Sequence, residues 1–308
     1  MITKLRSVLA NSPLFSAARI PLYVWASLVS QILIVVTGGV VRLTGSGLGC
    51  PTWPKCTDES LVNVPEMGIH GVIEFTNRLL TFVLALIAVL TFVTIVRLGR
   101  QHRKGLFIPA LILGLGIPAQ AVLGGFTVLS NLNPWFVGAH FVLSGYMIAM
   151  AALLFFRALP PEHSPVSRGT WLTATPIAIV GAITVLVGVL VTGAGPHSGD
   201  AESIRNGLDL GLWQHLHSYP AYLMVALIVI QVWLLYRRDR CASKASYQTK
   251  VSGLLLSISI AQALIGVAQA RLGVPPVLVA LHMLGAATLC ALLTLQWLAI
   301  RGKTASSN

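Results

Sequence analysis

The sequence predicts an all-α integral membrane protein whose eight transmembrane helices form two four-helix bundles related by a pseudo-two-fold axis. Three observations support this fold class. The chain of 308 residues is 55% hydrophobic and only 10% charged, it contains eight long apolar segments, and its polar motifs repeat once. Because about a quarter of the residues in soluble domains are charged, a mean hydropathy of +0.80 excludes an ordinary soluble fold.

The apolar segments are each long enough to cross a bilayer, which requires about 20 mostly apolar residues. In chain order, the predicted spans are 20–41, 70–96, 106–129, 136–156, 172–192, 212–236, 251–270 and 277–300. Residues 1–19 are polar and basic, so we expect no cleavable signal peptide.

The formal net charge of +12 has a membrane explanation, because Lys and Arg concentrate in the loops on one side. Most of the 21 Lys and Arg residues fall in the N-terminal segment, the second, fourth and sixth loops and the C-terminal tail. The loops on the other side contain only Lys55, Arg205 and Arg271. By the positive-inside rule, we expect a multi-pass protein of the cell membrane with both termini in the cytoplasm. Its surroundings are then membrane lipid, and we expect no nucleic-acid partner.

An internal repeat divides the chain into two halves, residues 1–160 and 161–308. The matching segments AQAVLG and AQALIG contain Gln120 and Gln262, and each glutamine precedes a histidine, His140 or His282, by 20 residues. A similar shift aligns the ExxN motif of the second span with the QxxH motif of the sixth. Four spans return the chain to its starting side, so the halves share one orientation and a pseudo-two-fold axis along the membrane normal.

The C-terminal half has histidines suited to hold haem iron. A lone membrane histidine can serve only as a hydrogen-bonding residue, but repeat-related histidines at matched depth favour a ligand role. Facing imidazoles on two helices are a usual bis-histidine haem site, whereas zinc would need further ligands. His215 and His217 cannot both face the interior, since helix positions two apart point about 200° apart. The repeat aligns His217 with Asn77 and so selects His217 as the partner of His282.

The N-terminal half differs at that aligned position, where it has Asn77, a poor iron ligand. We expect its site to use His140, and His70, one turn from Glu74, is an alternative ligand. Glu74 and Arg78 are four residues apart on one helix, so an intrahelical ion pair is one interpretation. The other is that Glu74 positions or deprotonates a reacting group beside a cofactor bound through His140.

The first outer loop contains the motif CPTWPKC, with Cys50 and Cys56 at its ends. Two cysteines with five residues between them on the outer side can close a disulfide. A staple for the loop is one interpretation of the pair. The other is a redox-active or cofactor-guiding pair above the N-terminal site.

Together, the segment GGVVRLTGSG, the CPTWPKC loop, the motif IEFTNR and the repeated glutamine and histidine pairs resemble the haem A synthase family over nearly the whole chain. The resemblance implies an enzyme that oxidises the C8 methyl group of haem O to a formyl group, giving haem A for terminal oxidases. It implies haem b as a cofactor that relays electrons in the C-terminal half, and haem O as the substrate in the N-terminal half. Haem O synthase and terminal oxidase assembly factors are the implied partners, and the chain could form a homo-oligomer.

The resemblance also assigns roles to single residues. It implies that His217 and His282 ligate the haem b iron, that His140 ligates the substrate haem iron, and that Glu74 is the catalytic carboxylate. The two cysteines of CPTWPKC match the family's loop pair. This chain departs from the family at Asn77, where a histidine is usual, and it lacks the second cysteine pair that some members carry in the later outer loop.

Two other classes of function stay open. A dihaem membrane cytochrome for electron transfer would need two good iron ligands in the N-terminal half, which Asn77 does not supply. A transporter with repeated halves would place its polar residues near the membrane midplane, whereas here they cluster towards the outer ends of the spans.

Overall fold

A computed structural model describes residues 12–98, 103–162, 164–240, 242 and 244–301, and the regular structure in these ranges is helical. Eight helices there are long and apolar enough to cross a membrane, which confirms the predicted fold class. They are α1 (Ile20–Leu43), α2 (Gly68–Arg97), α3 (Phe107–Leu129), α4 (Pro134–Ala158), α5 (Arg168–Ala194), α6 (Leu210–Asp239), α7 (Tyr247–Arg271) and α8 (Pro276–Arg301). Parts of the basic segments behind the orientation lie outside these ranges, and the orientation stays a prediction.

Of the helices that begin earlier than the apolar segments predicted, four follow a polar capping residue. A side-chain oxygen at the N-cap accepts a backbone N–H of the first turn and so fixes where the helix begins. Hydropathy marks only the apolar run that follows. The caps are Asn133 before α4, Ser167 before α5, Asp209 before α6 and Ser246 before α7.

The helices of the two halves pack in the same order. In the first half α1 packs on α2, α2 on α3, α3 on α4, and α4 returns to α1. In the second half α5 packs on α6, α6 on α7, α7 on α8, and α8 returns to α5. This shared order agrees with the sequence repeat, while the symmetry axis and the division into halves stay predictions.

Helix α8 joins the two halves, since it packs on α1 and α4 as well as on its own bundle. Its Ala287 and Ala291 belong to the apolar cluster of the first half, and its Leu289 and Leu292 belong to the cluster of the second half. Because opposite faces of one helix are buried, the His282 region is held between both bundles. A displacement of α8 would therefore affect both halves.

The two long loops, residues 44–67 between α1 and α2 and residues 195–209 between α5 and α6, meet at one end of the bundle. They are called the first and the second long loop. The Gly47 N–H of the first long loop donates to the Gly199 carbonyl of the second at 2.8 Å. A Cβ atom on Gly47 would lie 2.6 Å from a terminal methyl group of Leu132 and 3.1 Å from the Gly199 carbonyl oxygen, so a larger residue here would have to displace its neighbours. The side chains of the predicted sites lie in the turns of helix just beneath these loops.

Candidate functional site

The C-terminal site is built from one histidine on α6 and one on α8. The imidazole rings of His217 and His282 have their centroids 6.3 Å apart, with an angle of 74° between the ring planes. Because a bond between a metal and an imidazole nitrogen is about 2 Å long, this spacing can hold one iron ion between the rings. The side chain of His215 is exposed, so of the two neighbouring histidines it is His217 that the structure brings to His282.

The hydrogen bonding of His217 leaves its Nε2 atom available to bind a metal. Its Nδ1 donates to the Thr184 carbonyl of α5 at 3.0 Å, which leaves the lone pair of Nε2 for iron. An outer hydrogen bond of this kind fixes both the tautomer and the ring orientation of a ligating histidine. In His282 the buried Nδ1 has no partner among the described residues.

These residues fit haem better than a bare metal ion. In the described part of the chain, no group of three or more His, Cys, Asp or Glu side chains is placed to hold a metal ion. A haem supplies the remaining ligands itself, so two histidines suffice.

A glycine on a neighbouring helix lies against each of the three predicted iron ligands. A Cβ atom on Gly188 of α5 would lie 2.9 Å from Cε1 of His217. The same atom on Gly266 of α7 would lie 3.7 Å from His282, and on Gly124 of α3 it would lie 3.3 Å from His140. The last two glycines end the repeated AQAxxG motifs, so the repeat places a glycine against the predicted ligand in each half. The motif itself gave no sign of this contact.

The N-terminal site has one histidine in a comparable position. His140 lies on α4 with its Nδ1 buried and unpartnered among the described residues. Its own carbonyl accepts from the Gln120 amide at 3.3 Å, and the same amide donates to Ser144 at 2.7 Å. This glutamine therefore ties α3 to α4 at the level of His140. Asn77 of α2 is half-buried, and its Oδ1 is also buried without a donor in the described contacts.

His70 lies apart from this arrangement. Its side chain is exposed, and its Nδ1 is 2.9 Å from the hydroxyl of Ser46 in the first long loop. No described contact joins His70 to His140. The structure therefore places His70 at the loop, where its observed partner is a hydroxyl group.

Glu74 and Arg78 form the intrahelical ion pair that was one of the two sequence interpretations. Glu74 is buried, with 5% of its surface exposed, and its Oε1 accepts from Nε and Nη2 of Arg78 at 3.1 and 2.5 Å. Its other oxygen, Oε2, accepts the backbone N–H of Cys50 at 2.5 Å. The carboxylate thus joins α2 to the disulfide loop as well as to its own helix.

Arg78 attaches the same loop through three carbonyl groups. Its Nη1 donates to the Lys55 carbonyl at 3.1 Å, and its Nη2 donates to those of Cys50 at 3.0 Å and Thr52 at 3.1 Å. From the sequence, this arginine was predicted only as a partner for Glu74. No sequence motif indicates backbone contacts of this kind, because every residue has a carbonyl group.

The Cys50–Cys56 disulfide is present, which confirms the predicted bond, and both cysteines are fully buried. Between them, the Trp53 ring lies against α3 so closely that a Cβ atom on Gly125 would be 2.5 Å from it. Gly125 follows Gly124, against which His140 packs. The loop between the cysteines is hereafter called the cap (Cys50–Cys56), because it covers the N-terminal site from α2 to α3.

A family model and several named proteins are similar to this chain. A family model described as cytochrome oxidase assembly protein (COX15-CtaA) matches residues 21–294. A protein named "Heme A synthase" from Listeria welshimeri is 25% identical over 306 residues, covering 92% of this chain and 97% of that protein. Shorter matches are found to proteins of the same name. One from Lysinibacillus sphaericus is 34% identical over 42% of this chain and 41% of its own, and one from Geobacillus thermodenitrificans is 27% identical over 46% and 44%.

Proposed function

The chain belongs to the COX15-CtaA family of cytochrome oxidase assembly proteins, and from this premise we propose that it is a haem A synthase. Its reaction oxidises the C8 methyl group of haem O to the formyl group of haem A. The observation that carries the proposal is the pair of facing imidazoles, His217 and His282, in a chain that aligns almost end to end with a haem A synthase.

We assign His217 and His282 to the iron of a resident haem b. His217 donates from Nδ1 to Thr184, which orients its Nε2 towards the space between the rings. Gly188 leaves room for the His217 imidazole, and Gly266 lies against that of His282. When bound, haem b would supply a one-electron redox centre with bis-histidine ligation.

We assign His140 to the iron of the substrate, haem O. Its ring packs on Gly124, and Gln120 fixes the backbone of the same turn. Asn77, whose buried Oδ1 has no donor in the described contacts, is available to contact the substrate. His70 would become a second ligand only if it left Ser46. We therefore place one protein ligand on the substrate iron.

We assign the catalytic carboxylate to Glu74. Conversion of a methyl to a formyl group removes protons and electrons and adds one oxygen atom, so a group must accept protons near the reacting carbon. Arg78 holds the carboxylate through Oε1, while Oε2 accepts only the Cys50 N–H. A carboxylate oxygen can accept more than one hydrogen bond, so Oε2 keeps the capacity to take a proton.

The cap positions this carboxylate and covers the site. The disulfide holds the ends of the loop together, Arg78 bonds three of its carbonyls, and Trp53 packs on α3. We propose that the disulfide is mainly a staple that keeps the Cys50 N–H on Glu74. A closed cap also limits the access of bulk water to the reacting group.

The proposed function also includes an orientation in the cell membrane and a set of partner proteins. We propose that both termini lie in the cytoplasm, so that the cap and the two sites lie towards the outer surface of the cell membrane. Haem O synthase is the expected source of the substrate, and terminal oxidase assembly factors are the expected recipients of the product.

Expression in a host that makes haem O but has no haem A synthase tests the proposed reaction. Haems are extracted from membranes with equal amounts of the protein and are separated by chromatography. We expect haem A with the natural sequence and only haem b and haem O with His140→Ala. A folded protein that holds low-spin haem but yields no haem A would favour the electron-transfer cytochrome instead.

A further inference from the structure

Arg42 lies in the last turn of α1 and bonds the second long loop. Its Nε donates to the His197 carbonyl, and its Nη2 donates to the Thr192 carbonyl at 2.7 Å. Thr192 is in the last turn of α5, where carbonyl groups lack partners within the helix. A cap on α5 is thus one purpose that Arg42 serves.

A second arginine is held beside it. Arg205 donates from Nη1 to the Ser203 carbonyl at 2.9 Å and from Nη2 to the Pro196 carbonyl at 2.6 Å. Since Pro196 and His197 are consecutive, the two guanidinium groups bond adjacent carbonyls. Their positive charges are therefore held at one short stretch of the second long loop. Capping of α5 by Arg42 does not explain why a second cation lies there.

This pair of cations has no acidic partner among the described residues, where the ion pairs formed involve other arginines. Among the nearby acids, Glu202 forms no described ion pair, and Asp200 accepts the Glu202 N–H at 2.9 Å within its own turn. Nη1 of Arg42 and Nε of Arg205 make no described hydrogen bond. Guanidinium donors match carboxylates in geometry and charge, so a carboxylate bound here would relieve the repulsion.

The pair lies on the loop side of the proposed haem b site. A Cβ atom on Gly39 would be 2.9 Å from the sulfur of Met283, the residue after His282. Arg42 is three residues beyond Gly39 and so lies about 4.5 Å nearer the loops, from the rise of 1.5 Å per residue. His197, which Arg42 contacts, also bonds the Val274 carbonyl just before α8 through Nε2 at 2.8 Å.

We propose that Arg42 and Arg205 form a carboxylate-binding site for the propionates of the haem held by His217 and His282. The inference rests on the proposed function, since it needs haem at that pair. A haem carries two propionates on one edge, and its remaining edges are apolar. The arginines lie where the ends of α1 and α5 meet the second long loop, on the side of the bundle where charged groups can meet water. The haem is therefore oriented with its propionates towards the loops.

Methyl esters of the propionates test the inference directly. The full-length protein, purified without haem from a haem-deficient host, is titrated with ferric protoporphyrin IX and with its dimethyl ester, and the low-spin spectrum is recorded. We expect the natural sequence to bind the diacid about tenfold more tightly, because charge-assisted hydrogen bonds are lost with the ester. Arg42→Gln and Arg205→Gln should each reduce this preference.

Arg271→Gln is the matched control, since Arg271 is an exposed arginine at the loop-side end of α7 and should leave the preference unchanged. The exposed side chain of Arg205 makes Arg205→Gln decisive if Arg42→Gln lowers the yield of folded protein. A low-spin spectrum with equal affinity for both porphyrins would overturn the carboxylate site alone. No low-spin spectrum with either porphyrin would overturn the haem b assignment as well.

Discussion

The backbone N–H of Cys50 donates to Oε2 of Glu74, so the disulfide cap is attached to the carboxylate proposed to act on the substrate. The ion pair with Arg78 therefore helps to hold the cap and also positions the Glu74 carboxylate. Two explanations of the buried Glu74 follow, one in which it holds the cap and one in which it also accepts a proton. They differ in what happens when its charge is removed.

Glu74→Gln separates these explanations. The amide keeps the shape of the side chain and can still accept from Cys50, but it cannot bear charge or take a proton. We expect folding and haem b content to be kept and haem A per folded protein to fall about a hundredfold or more, with conversion stopped at or before the alcohol. Haem extraction measures this, with Glu66→Gln, an exposed acid before α2, as control. Normal haem A yield would mean that Glu74 only holds the cap.

The oxidation state of the cap cysteines and the side of the membrane on which they lie can be tested together. In a variant with Cys241→Ser and Cys290→Ser, only Cys50 and Cys56 remain. We expect a membrane-impermeant maleimide to label intact cells only after reduction, because the pair is oxidised and faces outwards. Full labelling without reductant would show reduced thiols. If the reduced cysteines were labelled only after the cell membrane had been permeabilised, the cap would lie on the cytoplasmic side, opposite to the predicted orientation.

Gly125 tests the contact between the cap and α3. The repeat-related position in the second half is Val267, where no cap exists, so Gly125→Val copies the second half into the first. Overpacking of this kind costs about 1–3 kcal/mol, which is enough to move Trp53 off the helix. We expect less haem O and haem A to co-purify, with haem b unchanged.

Gly114→Val on the same helix is the control for Gly125→Val, since a Cβ atom there meets nothing within 4 Å. Equal haem O content in both variants would show that Trp53 does not help to retain the substrate.

Gly188 tests the space that holds His217. A Cβ atom there would lie 2.9 Å from the ring, so Gly188→Val should turn or displace the imidazole. We expect haem b affinity to fall about tenfold or more, as measured by the low-spin absorbance of the purified protein. Gly253→Val on α7 has open space around it and should bind haem b normally. Equal spectra for both variants would argue against His217 as a ligand.

The fold and the ligand positions differ in how far sequence could predict them. Hydropathy located all eight spans because lipid requires long apolar runs, and it missed helix starts at residues such as Ser167 because caps are polar. The repeat selected His217 over His215, and the structure gives that histidine the position opposite His282. The attachment of Arg78 to cap carbonyls could not be predicted, since backbone acceptors are the same at every position.

The central proposal is that the N-terminal half binds the substrate haem and the C-terminal half binds haem b. The haem content of His140→Ala and His282→Ala tests it most directly. Each variant is purified from a host that makes haem O, its low-spin spectrum is recorded, and its haems are extracted and separated. We predict that His140→Ala keeps low-spin haem b and loses haem O and haem A, while His282→Ala loses low-spin haem b. Loss of low-spin haem b in His140→Ala together with its retention in His282→Ala would contradict the account.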